Sequence, residues 1–359
     1  MTNFDVSREN VKIIGRTCYR DGVRWCGLSG SGIGFTFTGT RAVIHFQGDD
    51  STTGNSTEGK ARVAIYRDDV RICDFMMEEP EKEITVFQSS GQETTEIRVV
   101  KLSECPMSLV GISGIEADTV DGIHPSKEKD LKIEFVGDSI TCGFGVDRED
   151  PDTPFETGTE DVTKAYAYRT AELLGADYSM VSYSGYGIIS GYTENDEKQS
   201  EQCVPLYYEK TGFSYGKLDW KIQDIPWNFR EFVPDMVVIL LGTNDDSYCQ
   251  DDKDRQKDFE ENYGMFLEMV RKNNPGAEIL CMLGIMKDRP YPFIQSAVEK
   301  YKHDSKDNKV HTLRLPLQRP EDGLVSCSHP TERTHGAAAK RVAEEIQSIL
   351  GEKSLDRQK

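Results

Sequence analysis

Near residue 125 the hydrophobic rhythm of this chain changes, and that change limits it to a β domain followed by an α/β domain. Before it, short apolar runs alternate with turn residues: GIGFTF, RAVIHFQG, ARVAIYRDDV, ITVFQ, TEIRVVKL and GISGIEA. Alternation of period two puts one set of side chains on each face of a strand. Asp68-Asp69 and Ser89-Ser90-Gly91 fall between runs, where hairpin or loop connections are expected. No long segment of period 3.6 occurs. Residues 1–125 are therefore expected to form an all-β domain, a sandwich of jelly-roll type.

Residues 124–130, HPSKEKD, are polar and contain a proline, as a linker would. Beyond them the order becomes strand, loop, helix. Apolar runs at KIEFVG, SMVSYSG, MVVILLG, EILCMLGI and KVHTLRL are separated by helical patterns such as DVTKAYAYRTAELLG and DRQKDFEENYGMFLEMVRKN. In TERTHGAAAKRVAEEIQSIL, Ala338, Val342, Ile346 and Ile349 share one stripe at helical spacing. Near-continuous apolar strands alternating with helices predict an α/β domain over 130–352, a parallel sheet flanked by helices. Ligands of such sheets bind beyond the carboxyl ends of the strands, so the residues that follow each run carry the chemistry.

A chain of 359 residues is long enough for two such domains. Its formal charge of −19 repels nucleic-acid phosphates and anionic membranes, so neither is an expected partner, whereas a neutral sugar ester meets no such barrier. The start, MTNFDVSREN, lacks the basic and apolar regions of a secretory signal, and no apolar stretch approaches a bilayer span. Nine cysteines are dispersed without a CxxC pair, which reads as reduced thiols in a cytoplasmic protein.

Four segments carry residues capable of chemistry. In KIEFVGDSITCGFGV, Ser139 leaves a buried strand into glycine-rich sequence, where a nucleophile's own amide can face an oxyanion. Asp138 beside it suits a turn held by an Asx side chain. In SYSGYGIISG, Gly185 or Gly187 would let a backbone amide approach a substrate oxygen without a Cβ in the way. In VVILLGTNDDS, Asn244 offers a side-chain amide donor and Asp245 a loop-holding carboxylate. In SCSHPTERTHG, His329 precedes the last helix, while His335 falls inside the helical pattern, as a packing or capping residue. A metal held by this pair is not expected, because no third ligand is evident. Each segment alone has a plainer reading as a turn or a surface loop.

Together and in this order they resemble the four blocks of the SGNH (GDSL) hydrolase superfamily. The β-rich N-terminal part, TEDVTKAYAYRTAELLGADY, the SYSGYGI block, and PLYYEKT ahead of PDMVVILLGTND further resemble carbohydrate esterase family two, over nearly the whole chain. That resemblance implies a jelly-roll domain joined to an SGNH domain, and removal of O-acetyl groups from plant-cell-wall oligo- or polysaccharides. It implies Ser139 as nucleophile and His329 as general base. The Ser139 amide, Gly185 and Asn244 would form the oxyanion hole, with no metal or cofactor. One departure stands out. The superfamily's aspartate three positions before the histidine, or in some relatives two, is here Ser326 or Cys327, and the nearest upstream acids are Glu321 and Asp322. Relatives without a working acid use a Ser–His dyad, which implies a backbone carbonyl within 326–328 holding the imidazole. Tyr186, Trp227 and Tyr291 lie near strand ends, where they either stack on sugar rings or pack in the core. Two other functions remain open: an SGNH lipase- or thioesterase-like enzyme acting on non-sugar esters, and a non-catalytic glycan-binding protein.

Overall fold

The computed structural model describes residues 1–53 and 59–356, and its N-terminal strands pair into one antiparallel sheet. They are Thr2–Phe4 (β1), Lys12–Ile14 (β2), Thr17–Arg20 (β3), Val23–Cys26 (β4), Gly32–Gly48 (β5), Arg62–Arg67 (β6), Val70–Met76 (β7), Glu81–Lys101 (β8) and Val110–Pro125 (β9). The order is β3-β4-β9-β5-β8-β6-β7, with β1 added to β9 and β2 to β5. Alternation does what the pattern predicts: Ile33, Phe35 and Phe37 on β5 point into a core that also holds Ile97, Val99 and Ile112, all nearly inaccessible. Two features escape a linear reading. β9 runs to Pro125, paired with Phe35, so His124-Pro125 end a strand instead of opening a linker. Proline is tolerated there because a strand's end has no further ladder bond to donate. In addition, Glu156–Glu160 and Tyr207–Trp227, which follow β10 (Lys132–Gly137) in the sequence, belong to the first compact unit with Met1–Glu128. Arg16 holds the second of these segments. Its buried guanidinium donates to the Tyr208 and Lys210 carbonyls and lies 5.2 Å from the ring centroids of Tyr208 and of Trp227.

The second unit is built on five parallel strands: Lys132–Gly137 (β10), Asp177–Ser182 (β11), Met236–Leu240 (β12), Glu278–Ile285 (β13) and Val310–Leu317 (β14). Every residue of β12 and β13 is buried, which is why, apart from Glu278 at the start of β13, these runs are apolar instead of alternating. The helices are Ser139–Cys142 (α1), Tyr166–Leu173 (α2), Asp245–Cys249 (α3), Lys253–Asn273 (α4), Tyr291–Ser305 (α5) and Glu332–Asp356 (α6). α2 packs on α6 and α4 on α5. Val342 and Ile346 of the predicted α6 stripe are fully buried, and Ala338 and Ile349 nearly so. Among the described residues no helix is long and apolar enough to cross a membrane.

The strand order β11-β10-β12-β13-β14 places the site. The chain leaves β10 to one side for β11 and returns to the other side for β12. The connections therefore diverge at the carboxyl ends of β10 and β12, and diverging connections leave a crevice between them. Ser139 follows β10 by two residues, and Asn244 follows β12 by four.

Candidate active site

Ser139 opens α1, whose N-terminal turn is fixed by Asp138: one carboxylate oxygen accepts from the Ile140 amide at 3.0 Å. The Asx role read from the sequence is thus what this side chain performs. Burial pushes the Asp138 carboxyl up to about 7, with the Asp245 charge adding to the rise.

His329 reaches Ser139 from a tight loop. Leu324–Val325 (β15) and His329–Pro330 (β16) pair antiparallel and close a turn over residues 326–328. Cys327 (φ 51°) and Ser328 (φ 61°) are both left-handed, a conformation that costs a non-glycine residue about 1–2 kcal/mol. The turn is tied down at Ser326, whose hydroxyl donates to the Thr153 carbonyl at 2.6 Å, and at Cys327, whose amide donates to the Pro151 carbonyl at 3.2 Å. So held, it aims the Ser326 carbonyl at His329 Nδ1, at 3.1 Å. A carbonyl can only accept, so Nδ1 carries the proton and Nε2 the lone pair. Nε2 lies 2.7 Å from Ser139 Oγ and accepts its hydroxyl proton. Burial pushes the imidazole's pKa from 6.5 down to about 4, so the ring is neutral at pH 7.

The upstream acids do not approach this pair. Asp322 lies 3.0 Å from Arg319 Nε and 3.1 Å from Arg333 Nε, and Glu321 lies 3.5 Å from Arg319. His335 is fully buried in α6, where its Nδ1 accepts from the Tyr166 amide at 3.1 Å and so caps α2. Its packing and capping roles are those its place in the helical pattern suggested.

Asn244 is buried beside the pair. One N–H of its amide donates to the Tyr186 carbonyl at 2.8 Å, while the contact with Asp138 Oδ2 is long, at 3.4 Å. Asp245 next to it accepts from the amides of Ile188, Ile189 and Ser190 at 2.8 to 3.2 Å. It is fully buried, and burial raises its pKa to about 6 in spite of those donors. It ties the loop after β11 to the loop after β12. The loop after β11 contains Gly185 at φ 80°, a backbone conformation that excludes most other residues. The sequence left Gly185 and Gly187 as alternatives. The Gly187 amide donates to the Gln202 carbonyl at 3.1 Å.

The aromatic residues need correction. Tyr186, Trp227 and Tyr291 are only 3%, 7% and 7% exposed. Tyr186 packs on the Tyr183 ring, Trp227 belongs to the first unit against Arg16, and Arg314 lies over Tyr291. All three are packed against neighbouring rings or arginines and leave almost no face for a sugar. A different ring is available: Tyr192 is 53% exposed, and its amide donates to the Gly185 carbonyl at 2.8 Å. Its place in GYTEND, among polar turn residues, is the signal that would have marked it as exposed.

Residues 13–126 match the carbohydrate esterase 2 N-terminal domain. The chain is 27% identical over 330 residues to the cellulase/esterase CelE of Acetivibrio thermocellus, covering 91% of this chain but only 38% of that protein's length. It is 22% identical to an acetylxylan esterase/glucomannan deacetylase of Cellvibrio japonicus, over 96% of this chain and 90% of that one. The structure of a family two carbohydrate esterase from Clostridium thermocellum in complex with cellohexaose superposes with a TM-score of 0.80 at 25% identity, over 95% of this chain and 99% of that one. Residues 135–337, more than half the chain, match the GDSL-like lipase/acylhydrolase family, and with Ser139 and His329 in hydrogen-bond contact at the head of its parallel sheet, the chain belongs to that family.

Proposed function

We propose that this protein is a serine carbohydrate O-acetylesterase that removes acetyl groups from plant-cell-wall-type oligo- or polysaccharides. The observation that carries the reading is the 2.7 Å contact of Ser139 Oγ with an imidazole nitrogen whose tautomer the Ser326 carbonyl has already selected. As Oγ attacks the acetyl carbonyl, its proton passes to Nε2, and the sugar alkoxide then leaves with that proton. Water attacks the resulting acetyl-enzyme with His329 again as base, releasing acetate. The Ser139 and Gly185 amides and the second N–H of Asn244, which has only the long Asp138 contact, face the oxyanion. No step requires a metal or an organic cofactor. Tyr192, half exposed and bonded to the Gly185 carbonyl, offers a flat apolar face at the rim on which a sugar ring can stack. The similarity to an acetylxylan esterase/glucomannan deacetylase and to an esterase crystallised with cellohexaose favours a sugar ester over a lipid or thioester. For the first unit we propose a jelly-roll sandwich, since its long strands β5, β8 and β9 carry register shifts at which a sheet can bend. The deciding experiment is acetate release from acetylated xylo- and manno-oligosaccharides beside long-chain esters and acyl-CoA. Faster turnover of either of the last two would replace the carbohydrate assignment.

Two expectations follow from this geometry. Asn244→Ala should lower kcat by roughly 10²–10³, about 3–4 kcal/mol, with little change in KM, because an oxyanion donor binds the transition state more tightly than the ester. An unchanged kcat would reduce Asn244 to a brace for the Tyr186 carbonyl. The second concerns pH. The base works only when neutral, so kcat/KM should rise with pH through about 4, not through 6.5, and activity should persist in mild acid. A limb near 6.5 would mean that the ring is solvated in the free enzyme.

A further inference from the structure

His329 lacks the carboxylate that usually grips a catalytic imidazole, and its edge contacts, the Ser326 carbonyl on Nδ1 and Ser139 Oγ on Nε2, leave the ring plane free to rotate about the line joining them. The structure restrains that motion from the face of the ring. Phe144 lies on the imidazole with centroids 4.3 Å apart and planes 29° apart, and Phe155 stacks on the other face of Phe144 at 3.9 Å and 13°. The stack is built by the segment that follows the nucleophile. Phe144 sits between Gly143 and Gly145, and its amide donates to the Ser139 carbonyl at 3.2 Å, which joins it to the nucleophile's own turn. Gly145 is left-handed (φ 64°), and a Cβ there would come within 2.9 Å of the Ser326 Cβ. Its lack of a side chain thus admits the residue whose carbonyl holds Nδ1. The same segment supplies the Pro151 and Thr153 carbonyls that tie down Cys327 and Ser326.

We propose that Phe144 is a positioning residue for His329, its ring fixing the imidazole plane in place of the missing acid. This rests on the reading of His329 as the general base. Flat stacking limits tilt, and the hydrocarbon face keeps water off the ring, so the imidazole stays neutral and its lone pair stays on the line to Oγ. The Ser139 hydroxyl bonds Nε2, and the ionisable neighbour is His335, whose own pKa is lowered by burial first and then by the His329 and Arg169 charges. Among the described residues no carboxylate bonds to it.

The test compares Phe144→Tyr, which keeps the flat face, with Phe144→Leu, which keeps apolar bulk but loses it. Phe144→Leu should lower kcat by about ten- to a hundred-fold with KM nearly unchanged, since a slightly misaimed base costs rate and not binding. It should also move the acid limb of kcat/KM upward toward 6.5. Phe144→Tyr should restore kcat to within about threefold, a rescue expected only if the flat face matters. An NMR titration of the His329 ring in Ser139→Ala and in Ser139→Ala/Phe144→Leu reads the same upward shift without relying on activity. If Phe144→Leu keeps kcat and the limb unchanged, or if Tyr fails to rescue it, the positioning role falls. If His329→Ala itself stays active, the general-base reading falls instead, and the two failures are told apart.

Discussion

Replacing Ser139 with Ala will abolish ester hydrolysis, lowering kcat by roughly six orders of magnitude while the fold persists. The mechanism has one nucleophile. Among the described residues, Nε2 of His329 is hydrogen-bonded to Oγ of Ser139 alone, so no neighbouring hydroxyl is positioned to substitute. The deletion is also structurally mild. The turn is held by the Asp138 carboxylate on the Ile140 amide and by the backbone of α1, neither of which uses Oγ. Acetate release and thermal unfolding measured on the same preparation separate the two effects. Activity within tenfold of the parent, with an unchanged melting curve, would mean that another group attacks the ester.

Nearly as large a loss is expected for His329→Ala, and the contrast with its acidic neighbours makes the result informative. Serine and base act as a unit, so removing either costs about as much as removing both. Asp322→Asn and Glu321→Gln should by contrast keep kcat within about tenfold, since losing a true third member costs about 10⁴. The structure gives the reason. Asp322 is occupied by Arg319 and Arg333, and the Nδ1 proton already has its acceptor at Ser326. Asp322→Asn will weaken the arginine contacts, so its effect belongs in the melting temperature. Ser326→Ala should keep most activity too, because the backbone carbonyl survives the change, although the bond to the Thr153 carbonyl is lost. A collapse of kcat in Asp322→Asn equal to that of His329→Ala would establish a triad. A carbonyl sets the tautomer as a carboxylate does but stabilises the imidazolium less. Any aid in holding the ring therefore matters more here, which gives the Phe144 stack its place.

Much of this was legible in the residues because it depends on local periodicity and on strand ends. Runs of unbroken apolar residues require a sheet buried on both faces. The rule that ligands gather beyond the strand ends then drew attention to Ser139, to Gly185 or Gly187, and to Asn244, and the family resemblance implied Gly185 of the two glycines. The absence of the superfamily's acid at Ser326 and Cys327 was likewise visible, and the resemblance implied a carbonyl within 326–328; which of them, Ser326, only the structure shows. Other features were decided only in three dimensions. Whether Tyr186, Trp227 or Tyr291 faces solvent depends on what folds over each of them, and single-residue chemistry is the same in a core and at a rim. The allotment of Glu156–Glu160 and Tyr207–Trp227 to the first unit rests on long-range contacts such as Arg16 with Trp227, 211 positions apart in the chain numbering, which no periodicity records. The stack of Phe144 on His329 joins residues 185 positions apart. From the sequence, GFG reads as a turn; only the return of the chain through β14 and its loop brings an imidazole onto that ring, because packing partners are set by topology and not by neighbours in sequence.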